Sequence, residues 1–207
     1  ISSADITALD TANSAEIGAY YQDDTTCIQA IDEIQNSVGA WWGFDRLGIL
    51  RMKQWTTPSG TPVATFTSSE IEELERVTDS NSVPAWRMSF EYLRNYTVQK
   101  SDIAAAVTSD RRAILGAPSA VRTASLTSVK TSNIAAIELT VKSLISGTLY
   151  SAIKGRIVIS RNGSLNSAGA ESTRQFNLYK VMRQRYEVTV FIDSTLISTI
   201  NLGDVVR

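Results

Sequence analysis

The sequence predicts an α+β fold, with antiparallel or mixed sheets and several short amphipathic helices. Residues 85–98 indicate a strand with one buried face, because apolar side chains alternate with polar ones there. Residues 26–37 indicate an amphipathic helix, because apolar residues recur at intervals of three and four. After about residue 118 the alternating pattern returns, which favours further strands.

The composition is that of a globular protein with no strong overall charge. Of the 207 residues, 43% are hydrophobic and 20% are charged, and the formal net charge is −1. We therefore expect no nucleic-acid partner, and no stretch is apolar and long enough to predict a membrane span. Ile1 is not a methionine and the C-terminal pattern stops within a predicted strand, so we expect a piece of a longer protein.

The first hundred residues are predicted to form an α+β subdomain. A short helix is expected over 4–13 and an amphipathic helix over 26–37, with Thr26 near the N-cap of the second helix and Gly39 ending it. A hairpin is predicted over 40–55, because Asp45 and Gly48 suit its turn.

Shorter elements are expected between the hairpin and the strand at 85–98. Residues 63–67 are a strand candidate after a loop rich in proline and glycine. The acidic stretch 70–77 has Ile71, Leu74 and Val77 at intervals of three, which predicts a short solvated helix.

A helical connector over 101–117 is predicted to lead into a β-rich subdomain over 118–207. Pro118 prevents the connector from continuing. Within the second portion we expect a helix over 168–184, followed by an alternating strand. One mixed domain in place of two subdomains is the alternative that the sequence leaves open.

Several kinds of catalytic chemistry are excluded or poorly supported for this chain. Histidine is absent, which excludes Ser-His-Asp and Cys-His hydrolysis and histidine-liganded zinc. Cys27 falls in the predicted amphipathic helix and is interpreted as a buried structural residue. Ser151 and Lys154 have the Ser-x-x-Lys spacing of penicillin-recognising enzymes, but the supporting motifs are missing. We expect no catalytic residue, metal or cofactor.

A glycosidase-like pair of carboxylates is the remaining enzymatic alternative. Such a pair needs only two carboxyl groups at a suitable separation in space, which spacing along the sequence neither requires nor forbids. The candidates are Asp23, Asp24, Asp45, Glu91, Glu171 and Asp193.

Exposed aromatic residues and a charge asymmetry indicate interaction surfaces. Residues 154–185 are basic, whereas residues 69–79 are acidic, so docking by charge complementarity is one interpretation. Trp41 and Trp42 are neighbours on a predicted strand and point to opposite faces, so one of them is expected at an interface, whereas Trp86 is expected in the core. The candidate interface residues are Trp41, Trp42, Trp55, Arg156, Arg161, Arg183 and Arg185.

Three segments together resemble proteins of the tail tip or baseplate hub of long-tailed bacteriophages. The first covers residues 26–50, where a helix leads into the Ala-Trp-Trp-Gly-Phe hairpin. The second covers 86–99, with its Tyr-Leu-Arg-Asn-Tyr-Thr-Val-Gln ending, and the third covers 176–206, where a helix leads through a strand to Leu-Gly-Asp-Val-Val.

This resemblance implies a non-enzymatic structural component of a phage or prophage tail. Members of the family are often trimeric and bridge the tail tube to fibres or a tip, so the implied partners are other tail proteins and, in a longer protein, two further copies of the chain. The implied location is the virion tail, and the bacterial cytoplasm during assembly. A carbohydrate- or receptor-binding module of a phage tail is the alternative, because exposed tryptophans can stack on sugars.

Overall fold

The computed structural model describes residues 1–13, 15, 17–21, 24–77, 83–101, 103–145, 165–191 and 199–207. Within these residues the predicted mixed α+β class is confirmed by five helices and seven strands. In chain order they are α1 (Ser3–Ala12), α2 (Cys27–Ser37), β1 (Ala40–Phe44), β2 (Leu50–Gln54), β3 (Ile71–Val77), β4 (Ala85–Tyr92), α3 (Ser109–Gly116), β5 (Ala120–Ser125), α4 (Thr127–Ser132), β6 (Ile137–Lys142), α5 (Leu165–Tyr179) and β7 (Arg185–Val190).

The core lies on one face of a three-stranded mixed sheet. Strand β4 is central, with β5 antiparallel on one side and β6 parallel on the other. Its predicted alternation is confirmed, because Met88, Phe90 and Tyr92 are buried while Arg87 is exposed. Helix α5 covers this face with Ala168 and Phe176.

The core joins both portions that the sequence suggested as subdomains. Strand β4 comes from the first portion, whereas β5, β6 and α5 come from the second. These contacts cross the expected boundary at 101–117.

Helix α2 and the hairpin form as predicted, and each is fixed by local hydrogen bonds. The Thr26 hydroxyl accepts the backbone N–H of Gln29, whose side chain accepts the N–H of Thr26, which is a capping box. Strands β1 and β2 pair antiparallel. In their turn Asp45 accepts the N–H groups of Leu47 and Ile49, and Gly48 has a φ of 73°.

A buried ionic cluster on α5 fastens α1, α2 and the hairpin to that helix. Glu171, only 3% exposed, accepts hydrogen bonds from Arg174 at 2.6 and 3.0 Å, from Gln175 at 2.7 Å and from Asn13 at 3.1 Å. The Arg174 guanidinium also donates to three backbone oxygens, at distances of 2.5–3.3 Å. These are the carbonyls of Val38, Gly39 and Trp55.

The predicted helix over 70–77 is wrong, since these residues form strand β3. It pairs antiparallel with β7, and Leu74 lies opposite Val188. The three-residue spacing of Ile71, Leu74 and Val77 fits a helix, but long-range pairing overrides such a weak local preference. We call this two-stranded sheet the β3–β7 ribbon.

Other predicted elements are shorter in the structure. The connector over 101–117 is helical only in α3, and the helix over 168–184 begins earlier, at Leu165, and ends at Tyr179. The strand predicted over 85–98 ends at Tyr92, since Leu93 has a φ of 56°. The strand predicted over 63–67 is reduced to an isolated bridge at Ala64.

Two predictions of burial also fail. Cys27 is exposed, because it is the first residue of α2 and precedes the turns that pack against the hairpin. Trp86 is only half-buried, and Lys130 of α4 lies 4.4 Å from the centroid of its ring.

We predict that Gly39→Ala lowers the free energy of unfolding by about 3 kcal/mol or more. Gly39 has a φ of 56°, which strains any residue with a Cβ, and that Cβ would collide with the Arg174 guanidinium and displace its charge-assisted hydrogen bonds. Urea denaturation measures the change.

Gly48→Ala is the matched control. Gly48 also has a positive φ, but no atom lies within 4 Å of the position that a Cβ would occupy, so only the backbone strain of about 1–2 kcal/mol is expected. Equal losses in the two variants would show that contact with Arg174 is not what makes Gly39 necessary.

Candidate interaction surfaces

The β1–β2 hairpin places the two adjacent tryptophans on opposite faces, as strand alternation requires. Both are half-buried, because each face has its own partial cover. On one face the Trp42 indole donates to the Asp32 carboxylate of α2 at 2.6 Å, and its ring meets Phe44 edge-on at 6.2 Å. Phe44 itself is 64% exposed.

On the other face, Trp41 packs against the chain near the C-terminus. A Cβ on Gly203 would come within 2.5 Å of the Trp41 ring, so only glycine fits there. Trp55 lies beside it, with ring centroids 6.2 Å apart, and is 52% exposed. Of the three candidate tryptophans, Trp55 therefore offers the most accessible ring.

A second aromatic surface gathers residues from three segments. Tyr20 meets Tyr96 edge-on at 5.8 Å, and the Arg94 guanidinium lies 5.0 Å from the centroid of the Tyr96 ring. Arg94 also pairs with Glu33 at 3.2 Å. Burial, followed by the nearby charge of Glu33, raises the pKa of Tyr21. Tyrosine and arginine in contact are typical of protein-binding surfaces.

The hairpin is fastened to α1 by an ion pair. The Arg51 guanidinium donates to Asp5 at 2.6 and 3.0 Å, and the Met52 N–H donates to the same carboxylate at 3.2 Å. The Arg51 hydrogen bond is the main reason that the pKa of Asp5 is lowered, although burial acts in the opposite direction. Asp45 lies 3.6 Å from Arg51, and its pKa is lowered mainly by the hydrogen bond from the Ile49 N–H.

The candidate arginines do not come together as one site in the described chain. Arg183 is exposed and donates to the Leu178 carbonyl at 3.3 Å, and Arg185 begins β7 opposite Val77. Arg156 and Arg161 lie outside the described residues, as do Ser151 and Lys154.

The candidate carboxylates that the structure describes are engaged separately. Glu171 is held by Arg174, Asp45 holds the hairpin turn, Glu91 lies across from Lys142 on β6, and Asp24 is exposed. Asp23 and Asp193 are not among the described residues. In the part of the chain that the structure covers, no group of three or more acidic or cysteine side chains is placed to hold a metal ion.

A small cavity lies where the end of β4 meets α3. It holds about 100 Å³ between Leu93–Asn95 and Ile114–Leu115, whereas pockets for small organic ligands usually hold about 300 Å³ or more. Among the helices described, none is long and apolar enough to cross a membrane.

Exposed apolar side chains outside the tryptophans are the main feature that sequence reasoning missed. The alternation in β7 is typical of a strand with one buried face, yet Tyr186 and Val188 are 47% and 45% exposed, and Leu74, which lies opposite Val188, is 59% exposed. The β3–β7 ribbon has no layer packed on it within the described residues, and periodicity alone does not reveal whether a strand face will be covered.

We predict that the Asp5–Arg51 pair stabilises the fold at neutral pH and loses its effect in acid. The pKa of Asp5 is lowered on folding, so its contribution is complete above its unfolded pKa of about 3.9 and falls as the pH drops through the folded value. Asp5→Asn should reduce the free energy of unfolding by about 2 kcal/mol at pH 7 and flatten its decline in acid.

The measurement is urea denaturation at a series of pH values, with Asp10→Asn as the control. Asp10 is exposed on the same helix, and its variant should follow the wild-type profile. If Asp5→Asn keeps the full acid-dependent decline, the pair is not its source.

Comparisons with known proteins do not assign this chain to a family. No protein-family model matches the sequence, and no curated protein matches it. Any function must therefore be argued from the residues and surfaces described above.

Proposed function

We propose that the chain is a non-enzymatic structural component of a phage or prophage tail, at the tail tip or baseplate hub. It would act through protein–protein assembly with tube, tip or fibre components. The three segments that resemble such proteins, residues 26–50, 86–99 and 176–206, support this proposal. Much of each lies in the described part of the chain, in α2 with the hairpin, in β4, and in α5 with β7.

The observation that carries the proposal is the amount of apolar surface left uncovered. The described residues include more than twice as many exposed large hydrophobic side chains as buried hydrophobic ones. Single exposed apolar residues are ordinary, but here they recur on the hairpin, on the ribbon and after α5. Phe44, Leu47, Leu74, Val181, Met182 and Phe191 are each more than half exposed.

The two-stranded sheets also support an assembly role. Both the β1–β2 hairpin and the β3–β7 ribbon have two strands, so among the described strands each has two open edges. A two-stranded sheet is marginally stable by itself and gains from a further strand or a packed layer. Neighbouring subunits in an assembly would supply both.

Immunogold electron microscopy of phage particles tests the proposal. With antibody raised against this chain, we expect gold at one end of the tails of particles induced from the bacterium that encodes it. Particles from a strain that lacks the coding sequence are the control. Unlabelled tails, with the antigen free in the lysate, would contradict a structural role.

A carbohydrate- or receptor-binding module is the second candidate, and the exposure of Trp55 favours it. Its ring is half exposed and adjoins Trp41, so a sugar ring could stack there.

For this second candidate we predict saturable quenching of tryptophan fluorescence by host-surface oligosaccharide. Trp55→Ala should abolish the saturable part, whereas Phe44→Ala, which removes another exposed ring of the hairpin, should not. Quenching that rises linearly with sugar in all three proteins would count against the sugar site.

A further inference from the structure

One face of the β3–β7 ribbon is acidic and exposed. Strand alternation places Glu73 and Glu75 of β3 on the same face as Glu187 of β7. The face continues past β7 to Phe191, whose N–H donates to the Glu70 carbonyl at 2.9 Å and whose side chain is 59% exposed. It therefore combines three carboxylates with an exposed aromatic ring.

Arg185, which begins β7 opposite Val77, lies at one end of the same face, so three carboxylates outnumber one guanidinium there. Glu75 and Glu187 are directly opposite in the register, an arrangement of like charges that weakens strand pairing. Within the described residues, no ion pair engages Glu73, Glu75 or Glu187. A cationic surface placed against the face would relieve the repulsion.

The same chain carries a surface of opposite character just after α5. Residues 179–183, which we call the basic turn, contain Lys180 and Arg183 on either side of two exposed apolar residues. Val181 is 52% exposed and Met182 is 55% exposed. No acidic residue lies between Glu171 and Glu187, so this segment has an uncompensated positive charge along the sequence.

We propose that the acidic face of the β3–β7 ribbon in one copy docks against the basic turn of a second copy. The carboxylates of Glu75 and Glu187 would approach Lys180 and Arg183, and Phe191 would pack on Val181 and Met182. This contact deepens the proposed structural role, on which it rests, by naming a second copy of the chain as a neighbour.

Charge and connectivity favour a contact between the acidic face and the basic turn of two copies over a contact between these surfaces within one chain. The basic turn precedes β7 and lies beyond the Val77 end of the ribbon, and among the described residues no ion pair joins the two surfaces. The net charge is only −1, so copies do not repel one another strongly as whole molecules. Because the two surfaces differ, the contact is head-to-tail and builds a ring or a row.

Sedimentation velocity with charge-reversal variants tests the contact. The wild-type chain should self-associate at about 0.05 M salt and dissociate at about 0.5 M, because salt screens the exposed charges. Glu75→Lys/Glu187→Lys and Lys180→Glu/Arg183→Glu should each weaken self-association by at least about 10-fold. The first variant keeps two like charges opposite each other in the ribbon.

Sedimentation of an equimolar mixture of the two variants tests whether the two surfaces contact each other directly. Each reversed surface then faces its complement on the other variant, so association should return in the mixture although each variant alone is monomeric. The control is Asp10→Lys/Asp24→Lys, which changes the net charge as Glu75→Lys/Glu187→Lys does but on exposed residues outside the ribbon. This control should associate like the wild type.

Three results would overturn the contact: a wild-type chain that stays monomeric at low salt, reversal variants that associate as the wild type does, or a mixture that stays monomeric. Tail labelling by immunogold does not depend on this contact. Labelled tails together with a monomeric chain would therefore reject the contact and leave the proposed function standing.

Discussion

The structure depends on the ion pair that the buried carboxylate of Glu171 forms with the partly exposed Arg174. A carboxylate that is 3% exposed is stable only when it is paired and fully hydrogen-bonded, and Arg174 and Gln175 on the next turn of α5 meet that need. The guanidinium then has donors left for the backbone at the end of α2 and after β2. One helix thus holds the sheet with Phe176 and the hairpin with Arg174.

Elements whose signals are local could be predicted from the sequence. The Thr26 capping box, the apolar spacing of α2 and the Asp45–Gly48 turn each act within a few residues, so the helix and the hairpin follow directly. Strand β4 could be predicted because apolar and polar residues alternate from Trp86 to Tyr92, and three of the four apolar residues on that face, Met88, Phe90 and Tyr92, are buried. The α+β class follows from these elements together.

Features that depend on distant partners could not be predicted. Strand β3 looks helical until its register with β7 is known, because Leu74 meets Val188 more than a hundred positions later. The sequence identified Glu171 only as one of several candidate carboxylates. The further acceptors of Arg174 are backbone carbonyls, which every residue has, so sequence patterns cannot identify them. The candidate tryptophans were placed correctly on opposite faces, but the exposure of Phe44 and Phe191 depends on which faces lack a cover.

The central position of β4 sets the order in which the chain can fold as it leaves the ribosome. Its two partner strands lie at residues 120–125 and 137–142, and the helix that covers it begins only at residue 165. Strand β3 can pair only after residues 185–190, which form β7, have been synthesised. The three-stranded sheet and the β3–β7 ribbon can close only after these later segments have been synthesised, so until then the nascent chain carries the open edges of β3 and β4.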